Sequence, residues 1–285
     1  MDNSITRDEC LDKMIAAIEA ADHDQETKDY LTYVILAQFD GQRQLDAILN
    51  NSNDKEFTLD RINAVAEKLH GPGFQLTAHG FSQAVSDRYV NKEQSIVKHL
   101  QIFNAFLYKN FNITAFITAG TLLGMIREGI FLGHDDDIDL AYVSQYTDPK
   151  DILKERQALF DLVSEQDNMS VLNSNGVLVI KYSFEDTDIY FDLLTGYCEG
   201  DYINIYMIKP NSIPKESILP LKTGKFYGED INIPQIPETL LDVSYGPNWR
   251  TPDRSFRFNV NEHIPYYKFL LEEINKNIQM ESNDG

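Results

Sequence analysis

Cysteine is almost missing: Cys10 and Cys198 are the only two in 285 residues. Two thiols cannot build a disulfide framework or the ligand set of an all-cysteine structural zinc site, so a reducing, cytoplasmic setting is expected. Basic residues are also scarce, with 25 Lys and Arg against 45 Asp and Glu and a formal charge of −20. Such a chain repels phosphate polyanions at long range, which argues against non-specific nucleic-acid binding and docking on an anionic membrane. No window approaches the roughly 18 consecutive apolar residues of a membrane span. Even Leu100 to Phe111 is broken by Gln101, Asn104, Lys109 and Asn110. Met1 to Arg7 is polar, without a basic stretch or a following apolar run, so no signal peptide is expected. Internal repeats and low-complexity runs are absent too. What remains is ordinary globular composition, 42% hydrophobic, 11% aromatic and 25% charged, enough for one large domain or two modest ones.

From Asp8 to about His70 the apolar residues Leu11, Met14, Ile15 and Ile18, then Leu31, Val34, Ile35 and Phe39, recur at helical spacing. Gly71-Pro72-Gly73 breaks that pattern, which predicts a helical region over 1–72 and a second domain over 73–285. An amphipathic helix is expected from about Asp87 to Lys109. Ile113 to Ala119 reads as a strand, followed by a tight glycine turn and a short helix over Thr121 to Glu128. Ile138 to Val143 reads as a strand and Pro149 to Ser164 as a helix. Val177 to Phe184 and Thr187 to Leu194 read as paired strands, and Ile264 to Asn277 as a last helix. This order suggests an α/β or α+β sheet domain.

The densest chemical feature is Gly133-His134-Asp135-Asp136-Asp137-Ile138-Asp139, at the mouth of a predicted strand. Residues two apart on a strand share a face, so Asp135, Asp137 and Asp139 can converge while Asp136 points elsewhere. Converging carboxylates repel unless protons or cations neutralise them, and their hard oxygens suit Mg²⁺ or Mn²⁺. A solvated acidic turn is the alternative reading of the same run. An EF-hand is not: counted from Asp135, Leu140 falls where that loop needs Gly and Tyr146 where it needs Glu. Upstream, Gly120-Thr121 opens a predicted helix straight after a strand, an arrangement whose backbone N–H groups can hold an anion, with Arg127 able to pair with a phosphate. Asp192, in apolar company on a later strand, could complete a metal site or accept a proton. Asp188 lies nearer the hairpin turn, where solvation is expected. His134 could touch a metal or phosphate or simply be a solvated turn residue. Trp249 and Arg250 could stack on a base or sugar, or anchor a core.

The stretch AGTLLGMIREGIFLGHDDDIDLAYV, followed by DIYFDLL and YGPNWRTP, resembles the LicD and fukutin-related phosphotransferases of the nucleotidyltransferase superfamily. The resemblance runs discontinuously over about Ile113 to Pro252 and leaves Met1 to His70 outside. It implies an α+β fold, a nucleotidyltransferase-like mixed sheet flanked by helices, with two metal-binding carboxylates on one strand and a third on another. It further implies transfer of a phospho-alcohol, such as phosphocholine, phosphoribitol or phosphoglycerol, from a CDP-linked donor to a glycan or glycolipid hydroxyl. Carried onto this chain, Gly120 and Thr121 match the phosphate-binding turn and Arg127 the following arginine. Asp137 and Asp139 match the metal pair, with Asp135 a further ligand and Asp192 the third carboxylate. Tyr245, Gly246, Trp249 and Arg250 match a C-terminal element. The chain departs from the family at Gly133-His134, where Pro-Trp is common, and lacks the cysteine cluster of the zinc-bearing branch. Transfer of a nucleoside monophosphate from an NTP, and a non-catalytic binding protein of the same fold, are the alternative functions.

Overall fold

The computed structural model describes residues 7–38, 47, 55–77, 80–184, 187–253, 256 and 260–271. The chain divides into two compact units, residues 1–90 with 133–136, and residues 91–132 with 137–285.

The first unit begins with helices α1 (Arg7–Ala20), α2 (Gln25–Leu36) and α3 (Lys55–His70), matching the expected helical region. Asp24 caps α2 by accepting the Thr27 N–H at 2.8 Å, and this bond holds its carboxyl below the usual range. Leu11, Ile15, Tyr33, Leu36, Ile62, Ala66 and Leu76 form the core. The Tyr33 hydroxyl also meets His70 Nε2 at 2.6 Å. Gly71-Pro72-Gly73 ends the helical run but not the unit. The hairpin β1 (Phe74–Thr77) and β2 (Gly80–Gln83) packs on α3 and is followed by the short α4 (Val85–Arg88). The first unit therefore runs through the hairpin and α4 to Val90. Gly73 has φ +73°, and a Cβ there would lie 2.4 Å from Asp87 Cγ, so turn and packing both require glycine.

Hairpin and α4 together fix the 133–136 turn of the same unit. The Val85 N–H donates to the Asp135 carbonyl at 2.7 Å, the Gln75 amide donates to the Gly133 carbonyl, and the Ser82 hydroxyl donates to Asp136 Oδ2 at 2.7 Å.

The second unit begins with α5 (Glu93–Phe111), which buries Ile96, Val97, Leu100, Phe103 and Leu107. The single helix expected from Asp87 is interrupted, because Asn91 takes a left-handed φ of 63°. Next come β3 (Ala115–Ile117), α6 (Ala119–Arg127), β4 (Asp139–Val143) and α7 (Pro149–Ser164). α7 starts as the sequence dictates, with Asp148 capping the Lys150 N–H and Pro149 in the first turn. Four strands complete the sheet: β5 (Met169–Ser174), β6 (Val177–Phe184), β7 (Thr187–Glu199) and β8 (Tyr202–Ile205). Its order is β3-β4-β7-β6-β5, with β8 also on β7. β4 and β7 run parallel while every other pair is antiparallel, so this is the mixed sheet of an α+β fold.

β5 is not expected from the sequence, since its residues, half of them polar, carry no apolar alternation strong enough to read. β7 extends five residues past the expected Leu194, with Tyr197 buried. After α8 (Lys215–Ile218), the hairpin β9 (Lys222–Phe226) and β10 (Glu229–Ile233) lies against α5 and β3, and α9 (Pro237–Tyr245) against α6. The expected last helix is instead α10 (Val260–His263), a 3₁₀ turn over Ile264–Tyr267 and a further helical stretch to residue 271; its predicted end lies outside the described residues. Tyr267 is fully buried and donates to the Ile208 carbonyl.

Candidate active site

α6 and β4 are joined at the residues the motif singles out. Thr118, fully buried, follows β3 and donates its N–H to the Asp139 carbonyl at 3.0 Å. The left-handed conformation expected of a glycine turn falls on Ala119, at φ 40°, and Gly120 lies inside the first turn of α6. Thr121 is 1% exposed. Its hydroxyl oxygen accepts the Asp139 N–H at 2.8 Å, and its own N–H points at Asp139 Oδ2 at 3.4 Å. This reciprocal pair fixes the first carboxylate of β4 against the start of α6. Thr118 makes no side-chain capping bond, which leaves first-turn N–H groups of α6 able to serve an anion. Gly124 has a packing reason: a Cβ there would lie 2.5 Å from the Ile130 carbonyl oxygen.

Within the five-residue run Asp135 to Asp139, one carboxylate oxygen each of Asp135, Asp137 and Asp139 lies within 4.8 Å of the others. All three residues are half-buried. A set of hard oxygens this close can hold a divalent cation. Asp136 turns away to the Ser82 hydroxyl, and His134 is exposed.

Asp192 stands directly beside Asp139 in the parallel register of β4 and β7, and its N–H donates to the Ile138 carbonyl at 2.8 Å. Adjacent residues of parallel strands project to one face, so Asp192 is brought to the head of β4 although it is outside the group of three. Asp188 is engaged elsewhere, by Lys181 at 2.7 Å and the Ser183 hydroxyl at 2.7 Å, and these bonds hold its carboxyl below the usual range.

Arg127 closes the other end of α6. Its guanidinium donates to Glu128 Oε1 at 2.6 Å from Nη2 and at 3.0 Å from Nε, and to the Trp249 carbonyl at 3.2 Å from Nη1. Trp249 is 5% exposed. Its indole N–H donates to Asp242 Oδ1 at 2.8 Å, and the Arg250 guanidinium lies over its ring, 4.2 Å from the centroid. The stacking face of Trp249 is thus already occupied. Asp242, Glu128 and Ser82 were not singled out in the sequence. Only the adjacency of Glu128 to Arg127 gave a signal, since the other two act through partners reached by folding.

Residues 112–235 match the family model described as LicD/FKTN/FKRP, nucleotidyltransferase domain. Over these residues the chain is similar to the LicD family. LicD proteins are transferases, in general phosphotransferases. No curated protein matches the chain. The LicD match contains Gly120, Thr121, Arg127, the acidic run and Asp192, whereas Trp249 and Arg250 lie beyond it. Among the described residues no helix is long and apolar enough to cross a membrane.

Proposed function

We propose that this protein is a metal-dependent phosphotransferase that moves a phospho-alcohol from a CDP-linked donor to a glycan or glycolipid hydroxyl and releases CMP. The observation that carries the reading is the carboxylate group Asp135, Asp137 and Asp139 at the head of β4, with Asp192 in register beside it. Asp137 and Asp139, with Asp135 and Asp192, would hold Mg²⁺ or Mn²⁺, which would supply positive charge to offset that of the donor's pyrophosphate. That charge would also reconcile an anionic donor with a chain of charge −20.

The first turn of α6, at Gly120 and Thr121, binds a donor phosphate through backbone N–H groups. Asp192 orients the acceptor hydroxyl and takes its proton as the acceptor oxygen bonds to the phosphorus bearing the alcohol. The bond from that phosphorus to the bridging oxygen breaks, and CMP leaves with the electron pair.

The test is CMP release from CDP-choline, CDP-glycerol and CDP-ribitol with Mg²⁺ or EDTA, using a mixed glycan acceptor pool, for the wild type and Asp137→Asn. Metal-dependent CMP from one donor, lost in the variant, is the expected result. Pyrophosphate released from an NTP, with no CMP from any donor, would assign a nucleotidyltransferase instead.

A further inference from the structure

Arg127 is the residue the family motif offers for phosphate, yet its surroundings suit a different task. Its side chain is 10% exposed, and its guanidinium is held by Glu128 and by the Trp249 carbonyl. An arginine neutralised by the adjacent carboxylate and aimed at a carbonyl has little charge left for a ligand.

Arg250 is the converse. It is exposed, and among the described residues no carboxylate lies within ion-pair range of it. Its guanidinium carbon lies over the buried Trp249 ring, 4.2 Å from the centroid, a cation–π contact that restrains the planar donor fork. The stack is itself fixed from two sides, by Asp242 on the indole N–H and Arg127 on the Trp249 carbonyl. Thr121 and Arg127 are six residues apart on α6, about 9 Å at helical rise, so the strut ties the Arg250 loop to the helix whose first turn carries the proposed phosphate site.

We infer that Arg127 and Asp242 are positioning residues that pin the Gly246–Arg250 loop, and that Arg250 presents the cation that meets the oxyanions of the donor. The second half of this inference rests on the proposed function; the first does not. Positioning here means fixing a backbone carbonyl and an indole, so that the arginine next in sequence has one orientation rather than many.

Trp249 is the only tryptophan of the chain, so its fluorescence reports on this loop alone. Without ligand, Arg127→Gln and Asp242→Ala are expected to red-shift the emission and raise acrylamide quenching, while Asp242→Asn, which keeps an acceptor for the indole N–H, restores wild-type behaviour. With CDP and Mg²⁺ as the probe, Arg250→Gln is expected to weaken binding by about 10- to 100-fold, the value of a charge-assisted hydrogen bond, with Arg250→Lys in between. Arg127→Gln should weaken it less than Arg250→Gln does.

Unchanged emission and quenching in ligand-free Arg127→Gln, together with the larger loss of CDP affinity, would make Arg127 the phosphate ligand and overturn the inference. Wild-type affinity for CDP in Arg250→Gln would overturn the role of Arg250. A wild-type protein that binds no CDP with Mg²⁺ overturns the proposed function and the role of Arg250 with it, whereas the strut stands or falls on the ligand-free quenching.

Discussion

Replacing Asp137 by Asn should stabilise the protein without metal and weaken its response to metal, a reversal of sign that follows from the spacing of three carboxylates. Their nearest oxygens lie within 4.8 Å of one another. At that separation two unit charges repel by about 0.9 kcal/mol in water and about 3.5 kcal/mol at an effective dielectric of 20. Asp137 belongs to two of the three pairs, so between about 2 and 7 kcal/mol of formal repulsion is at stake. Each charge is spread over two oxygens and the half-exposed side chains can relax, which reduces the realised gain to about 1–2 kcal/mol. A gain of that size raises the melting temperature by roughly 2–8 °C for a unit of this size.

The assay is thermal unfolding in EDTA and across a Mg²⁺ series. The wild type should climb with Mg²⁺ as ligand binding to the native state demands, and Asp137→Asn should start higher and climb less. A variant that melts below the wild type in EDTA would show that the Asp137 carboxylate is held by protein donors rather than repelled by its neighbours. The metal-site reading would then lose its physical basis.

Four further outcomes are expected. Asp192→Asn should lower turnover by about 10²- to 10⁴-fold, the usual worth of a general base, measured as CMP release. Thr121→Val, which keeps the volume but removes the partner of the half-buried Asp139 N–H, should cost about 1–3 kcal/mol in chemical denaturation, and Thr121→Ser much less. Gly124→Ala places a methyl 2.5 Å from the Ile130 carbonyl oxygen and should cost about 1–3 kcal/mol by overpacking. Burial raises the Glu155 carboxyl above its ordinary value of 4.5, so its ionised form opposes folding above the raised value, and that penalty disappears as pH falls below the unfolded value. Glu155→Gln should therefore raise the melting temperature at pH 7 and have a much smaller effect near pH 4; equal effects at both would refute the assignment.

What could be read from sequence was whatever is encoded within a few residues. Asp148-Pro149 starts α7 where expected, because cap and fixed φ are local properties. The convergence of Asp135, Asp137 and Asp139 was likewise expected, although only Asp139 lies on β4 and the other two reach it from the turn before the strand. The left-handed residue before α6 was not: Gly120 was the obvious candidate, but β3 ends at Ile117 and the helix already includes Gly120, so Ala119 takes φ 40°. Tertiary pairing was more opaque still. Asp139 and Asp192 are neighbours only because β7 pairs in parallel with β4, and β5 escaped notice for want of alternation. Arg127 shows the limit most sharply. Its side-chain type and its place after Leu-Leu-Gly suggest a phosphate partner, and sequence alone weighs only side-chain types. The groups that occupy its guanidinium are an adjacent carboxylate and a backbone carbonyl 122 positions away. Every residue but proline offers the same two backbone groups, so a bond to the Trp249 carbonyl leaves no mark in the sequence. On the inference argued above, such a partner makes Arg127 a strut and leaves Arg250, which no described carboxylate neutralises, as the cation offered to the donor.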